Sequence, residues 1–254
     1  LDFYFDCTDG LCEDITVGSD STVQQILSDI SSGKNLVGKV AGNDDATDHK
    51  DWDNGGFAGW DGADSPEALI DTWFGMIASQ SVARVNGTTT YSNGDTINNV
   101  FLSEQGHDLQ QLVQKFLHGA IAFSQGADDY LDDDTDGKGL LAGNAEAAGD
   151  GKNYTALEHA WDEGYGYFGG ARNYGVLTAA EIKANDNDAD EDGLIDLIKE
   201  YNWGGSVNAA KRDVGAAGLE DTADHTDLVG DAWIGFSGGR QLIADAQADG
   251  EPAL

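Results

Sequence analysis

The sequence predicts an all-α protein, an irregular helical bundle of about seven or eight helices joined by long Asp/Gly-rich loops. Three observations carry this. Apolar residues recur at helical spacing through much of the chain, and Ser, Thr and Pro stand where those patterns begin. The interruptions are runs of Gly, Asp and Asn with little periodicity. No fixed repeat or clear linker divides the chain, so 1–254 reads as a single helical domain with a short N-terminal segment, 1–18.

Residues 21–31 place Val23, Ile26, Leu27 and Ile30 on one helical face, behind Ser19 and Ser21 as candidate caps. Ser65-Pro66-Glu67 combines a cap, a proline at the first helical position and an acid at the positive end of the dipole. The helix it opens carries Leu69, Trp73, Met76 and Ile77. A third helix is expected over 106–123, with Leu109, Leu112, Val113, Phe116, Leu117, Ala120 and Ile121 facing a core. Thr155-x-x-Glu158 is a capping-box pattern opening a fourth. Further helices fit 178–184, 193–202, 205–217 and 226–247. The threonines and two Asn-Gly steps of 85–98 read as a turn or short hairpin. The stretches 42–64 and 132–153 are long for structureless loops, and their aspartates suggest that they wrap ions.

Acidic residues number 47 against 13 lysines and arginines, a formal net charge of −34. Such a surface repels phosphate backbones and anionic membranes, which excludes nucleic acid as a partner. Six tryptophans, eight tyrosines and nine phenylalanines are too many for a solvated coil. Self-repulsion on this scale destabilises the compact state unless counterions offset it, which points to bound cations or a salty habitat. No apolar run is long enough for a transmembrane helix. The chain begins at Leu1, with Met76 its one methionine, and reads as processed; an upstream lipid anchor would fit. Cys7 and Cys12 suit a small disulfide loop in an exported chain, the alternative being two thiols in a cytosolic one. The expected location is extracytoplasmic: periplasm, outer-membrane surface or secreted.

The sharpest chemical signal is Asp188-x-Asp190-x-Asp192-Gly193-Leu194-Ile195-Asp196. Calcium takes six to eight oxygens, and alternating aspartates before a glycine let a short loop curl around it. Asp188, Asp190 and Asp192 fall at loop positions one, three and five, and Gly193 at the sharp turn. Leu194 would offer its carbonyl, Ile195 would pack on the core and Asp196 would fill position nine. Lys199 stands where a bidentate glutamate is expected; Glu200 is one residue late, and Asp186 could add a ligand from upstream. The pattern resembles the aspartate-rich calcium loops of extracellular modules more than a regulatory EF-hand; otherwise it is a solvated acidic turn. Asp132-x-Asp134-x-Asp136-Gly137 is a second calcium candidate without the later ligands, since Leu140 and Gly143 stand in their places. The run Asp44, Asp45, Asp48, Asp51, Asp53 carries no turn pattern.

On the helix opened at Thr155, His159 and Glu163 lie one turn apart, as do Glu158 and Asp162. With His118 or His107 from another helix these could hold a transition metal, iron among them; the alternative is a structural His–Glu pair with an acid at the dipole. The block Thr155-x-x-Glu158-His159-x-Trp161-Asp162-Glu163-Gly164-Tyr165-Gly166-Tyr167-Phe168-Gly169 resembles the signature of a bacterial family of uncharacterised exported helical proteins. Members are often encoded near imelysin-like lipoproteins and outer-membrane iron-uptake receptors. The segments 21–27, 106–123, Tyr130-Leu131 and Gly239-Arg240 also fit. Ala160 replaces a second histidine, and His118 an apolar residue, of the family pattern. The resemblance implies an all-helical exported protein and, by association, iron or haem as ligand and an outer-membrane receptor as partner.

No Gly-x-Ser-x-Gly, His-Glu-x-x-His or phosphate-cradling glycine loop occurs. Trp203, Trp233 and Phe236 could line a carbohydrate or haem pocket, or pack as core. The expectation is a non-enzymatic extracytoplasmic calcium-binding protein that also takes iron or haem at the envelope. The alternatives are a calcium-stabilised structural or adhesive subunit that self-associates and, more distantly, a hydrolase.

Overall fold

The computed structural model describes residues 15–30, 36–41, 57–60, 62–87, 90, 93–215 and 226–249. These are mostly helical, with six α-helices longer than one turn: α1 Pro66–Asn86, α2 Leu109–Leu117, α3 Ala156–Phe168, α4 Ala179–Ala184, α5 Gly204–Gly215 and α6 Leu228–Asp249. That is fewer than the seven or eight expected. A two-stranded antiparallel ribbon, β1 Thr16–Val17 and β2 Asp20–Ser21, precedes them. Among the described residues, no helix is long and apolar enough to cross a membrane. Cys7, Cys12 and the aspartates from Asp44 to Asp53 lie outside the described residues.

Two expected helices are absent for an identifiable reason. Of the helix expected over 21–31, the described residues 21–30 are helical only at Leu27–Ile30, a single turn. The Thr22 hydroxyl donates to the carbonyls of Ile15 and Gln24, a local alternative to helical bonding. In 193–202 carboxylates take the backbone donors: Glu200 accepts from the N–H of Asp196, and Asp196 from that of Ile198. The chain there makes one turn and stops.

The chain forms two compact units, residues 35–129 and residues 1–34 with 130–254. In the first, α1 starts as its sequence requires, Ser65 accepting from the N–H of Ala68 with Pro66 behind it. Leu69, Trp73 and Leu109 form a core flanked by Phe57, Trp60 and Phe116, with the Trp73 and Phe116 rings edge to face at 5.5 Å. Leu112 turns outward, 37 % exposed, against expectation. From His118 to Phe123 the second helix widens to π geometry. The turn expected in 85–98 is present as an antiparallel bridge, Thr90 to Thr96.

In the second unit Tyr174, Ile182, Ala210 and Val229 are the buried core, with Tyr165, Phe168 and Trp233 packed against it. The expected capping box is made in full: Thr155 accepts from the N–H of Glu158, and Glu158 from that of Thr155. Thr178 and Glu181 repeat it at α4. α3 ends at Gly169 in left-handed geometry. Asp213 on α5 accepts the N–H groups of Leu228 and Val229, capping α6 from a neighbouring helix.

Candidate metal centre

The acidic loop runs from the end of α4 to the start of α5, and its two ends are clasped together. Asn185 ends α4 at φ 62°, a left-handed position that asparagine tolerates. Its amide donates to the carbonyl of Asn202 at 2.8 Å, while the Asn202 N–H donates to its side-chain oxygen at 2.7 Å. Both asparagines are buried.

Inside the clasp the aspartates fold the loop onto itself. Asp188 accepts from the N–H of Asp192 at 3.2 Å and of Gly193 at 2.8 Å. Asp192 accepts from that of Leu194. Gly193, at φ 87°, makes the expected sharp turn. Glu191 is also left-handed, at φ 60°, a conformation costing a non-glycine residue roughly 1–2 kcal/mol. Ile195 anchors the loop: 2 % exposed, it donates to the carbonyl of Ser21 and accepts from the N–H of Val23.

Glu200 closes the arrangement. It is 6 % exposed, and one of its oxygens accepts from the N–H groups of Ala189 and Asp190, the other from that of Asp196. This places carboxylate oxygens of Asp188, Asp190 and Glu200 within 4.8 Å of one another. A carboxylate oxygen has two lone-pair directions, so the Asp188 oxygens and the Glu200 oxygen that accepts from Asp196, each holding one N–H, keep capacity for an ion. Three carboxylates at this separation repel unless a cation lies among them, and oxygen-only donors suit a hard ion.

The remaining residues of the motif act otherwise. Asp196 is buried and binds the Lys199 ammonium, the Ile198 N–H and the Gln24 amide. Burial pushes its pKa up, but these three partners outweigh that and hold it at about 2. Asp186, Asp192 and Leu194 are exposed and lie outside the triad. Gln24 was not legible as part of this region. Besides donating to Asp196 it accepts from the Leu197 N–H, across a gap of 173 positions that no local pattern signals.

The second aspartate run takes a similar turn. Asp132 accepts from the N–H of Asp134, and Gly137 is left-handed at φ 82°. Asp132, Asp134 and Asp136 do not converge as the triad does. The acids of α3 are engaged elsewhere. Arg240 on α6 donates from Nε to Asp162 at 2.9 Å and from a terminal nitrogen to Glu158 at 2.8 Å. His159 and Glu163 pair with each other at 3.1 Å, and the Tyr154 ring stacks on the imidazole. His118 belongs to the π segment of the other unit, where His107 meets Ser103 and Trp60.

Fold and loop together define a mostly helical protein with, among the described residues, one partly buried acidic triad that could hold a metal ion. The chain belongs to DUF4856, a domain family of unknown function, whose model matches residues 66–200, just over half the sequence. No match is found among curated proteins or among solved structures.

Proposed function

We propose that this protein is a non-enzymatic, extracytoplasmic calcium-binding protein, with Asp188, Asp190 and Glu200 as the core of its ion site. The observation that carries the reading is Glu200, a buried carboxylate aimed through its own loop at two aspartates. It supplies from one position later the acid that the motif lacks at Lys199. Calcium fits better than magnesium because the loop is irregular and offers oxygens without octahedral order. The export setting rests on the acidic composition and on the resemblance of the 155–169 block. Calcium outside cells saturates loops of modest affinity, with dissociation constants of about 10⁻⁴–10⁻³ M. Iron and haem stay outside the proposal, since Glu158 and Asp162 are neutralised by Arg240.

Calorimetric titration of chelator-treated protein with calcium and with magnesium tests this. Saturable calcium binding that magnesium does not match, lost in Asp190→Asn, is expected. Equal, weak responses to both ions at fixed ionic strength would sink it.

A further inference from the structure

Between α3 and α6 lies a cavity of about 410 Å³ with walls of two kinds. Trp161, Trp233 and Phe236 form an apolar side, and Asp162, Arg240 and Gln241 a polar one. We propose that this cavity binds a neutral carbohydrate, the sugar ring stacking on the indoles and its hydroxyls bonding to the polar wall.

The apolar side is held rigid. A Cβ on Gly239 would come within 2.1 Å of the Trp161 ring, and one on Gly175 within 2.0 Å of that of Trp233. Each indole thus lies directly against a glycine backbone. The Trp161 N–H donates to the carbonyl of Phe236 at 2.9 Å, which fixes its rotation. Aromatic surfaces ordered before binding lose little entropy when a ligand arrives.

The polar side is equally fixed, and its charge selects the ligand. A guanidinium has five N–H donors, and Arg240 spends two of them on Asp162 and Glu158. Three donors remain on a group already neutralised by two carboxylates. An anion therefore gains little there, and the formal charge of −34 repels it further. Gln241 donates to Asp245, leaving its carbonyl oxygen as an acceptor, and the half-exposed Asp162 keeps acceptor capacity. A purely apolar ligand would strip water from these groups without replacing its hydrogen bonds. A ligand with an apolar face and an edge of paired donors and acceptors satisfies both walls, and the volume suits a small molecule.

The test is calorimetric titration of the whole chain with linear hexasaccharides of glucose, mannose, xylose and galactose, with tryptophan fluorescence read in parallel. At least one is expected to bind saturably and change the emission. Gln241→Ala should weaken that binding by about tenfold, the worth of one hydrogen bond. Ser237→Trp, a bulky side chain at an exposed position on the cavity wall, should abolish it. Both changes are at exposed positions, and melting curves are to be run alongside to check that the variants fold. No binding by any neutral sugar at concentrations up to about 10 mM, where an affinity in the millimolar range is still detected, would overturn the proposal. So would undiminished binding by both variants, or tighter binding of a hexagalacturonate.

Discussion

Glu200 accepts the backbone N–H of Asp190 while its own carboxylate stands within 4.8 Å of that of Asp190. One residue thus both shapes the loop and adds to its charge, and the two roles separate by mutation. Asp190 is exposed and holds no backbone group among its described contacts, and Asn removes one of three mutually repelling charges, so Asp190→Asn should leave the chelator-treated protein at least as stable as wild type. The rise in melting temperature on adding calcium should disappear. For a site filled to about 100 times its dissociation constant that rise corresponds to roughly 2.7 kcal/mol in wild type.

Glu200→Gln should behave differently. It turns an amide N–H₂ towards buried backbone donors, leaving at least one unsatisfied, at a cost of about 1–3 kcal/mol even without metal. Urea denaturation of the chelated protein reads this directly. An unchanged midpoint would show that Glu200 does not hold the loop.

Asp196 gives a pH signature. Its carboxylate titrates at about 2 instead of 3.8, so the folded state favours the charged form. Its contribution is present above pH 3.8 and is lost as pH falls towards 2. Lys199, its cationic partner, is 58 % exposed, so solvent screens its share of the effect, and the Ile198 N–H and the Gln24 amide carry the rest. Acid melts of Asp196→Asn should lack this part of the pH dependence, a comparison best made in chelator.

Two glycines of α6 make a paired test of packing. A Cβ at Gly235 meets nothing within 4 Å, so Gly235→Ala should stabilise the helix by about 0.5–1 kcal/mol. At Gly239 the same atom strikes the Trp161 ring, and Gly239→Ala should destabilise by about 1–3 kcal/mol as α3 and α6 are forced apart. Thermal melts of the two variants should move in opposite directions.

Arg240→Met should expose the dependence of α3 on α6. Glu158 is a largely buried side chain, and losing its cation costs about 1–2 kcal/mol, more than an exposed pair would. Arg240→Lys restores charge but not the two-pronged geometry, and its melting temperature should fall between the two.

Where local chemistry decides the outcome, the chain could be read directly. Ser65-Pro66, the Thr155–Glu158 box and the turn at Gly193 depend on residues within one turn of each other, and all are as expected. Periodicity misleads over 21–30 and 193–202 because it is blind to competing side-chain hydrogen bonds, donors as well as acceptors. Thr22, Asp196 and Glu200 offer the backbone a local bond that outbids the helix. Long-range pairings left no trace in sequence. Arg240 reaches Glu158 across 82 positions, and Gln24 reaches Leu197 across 173. Three acids and a histidine on one helix suggest ligands only until a guanidinium is found between two of the acids.

The bridge from Ser21 and Val23 to Ile195 has a consequence for the order of events in folding. It closes a loop of some 170 residues, and closure of that length is entropically costly and slow relative to hairpins and single helices. The acidic loop is tethered to that bridge, so it takes its final shape only after the N-terminal segment has returned to dock. A cation bound there as proposed would therefore arrive late, and it would act as a latch on a finished molecule rather than as a seed for an unfinished one.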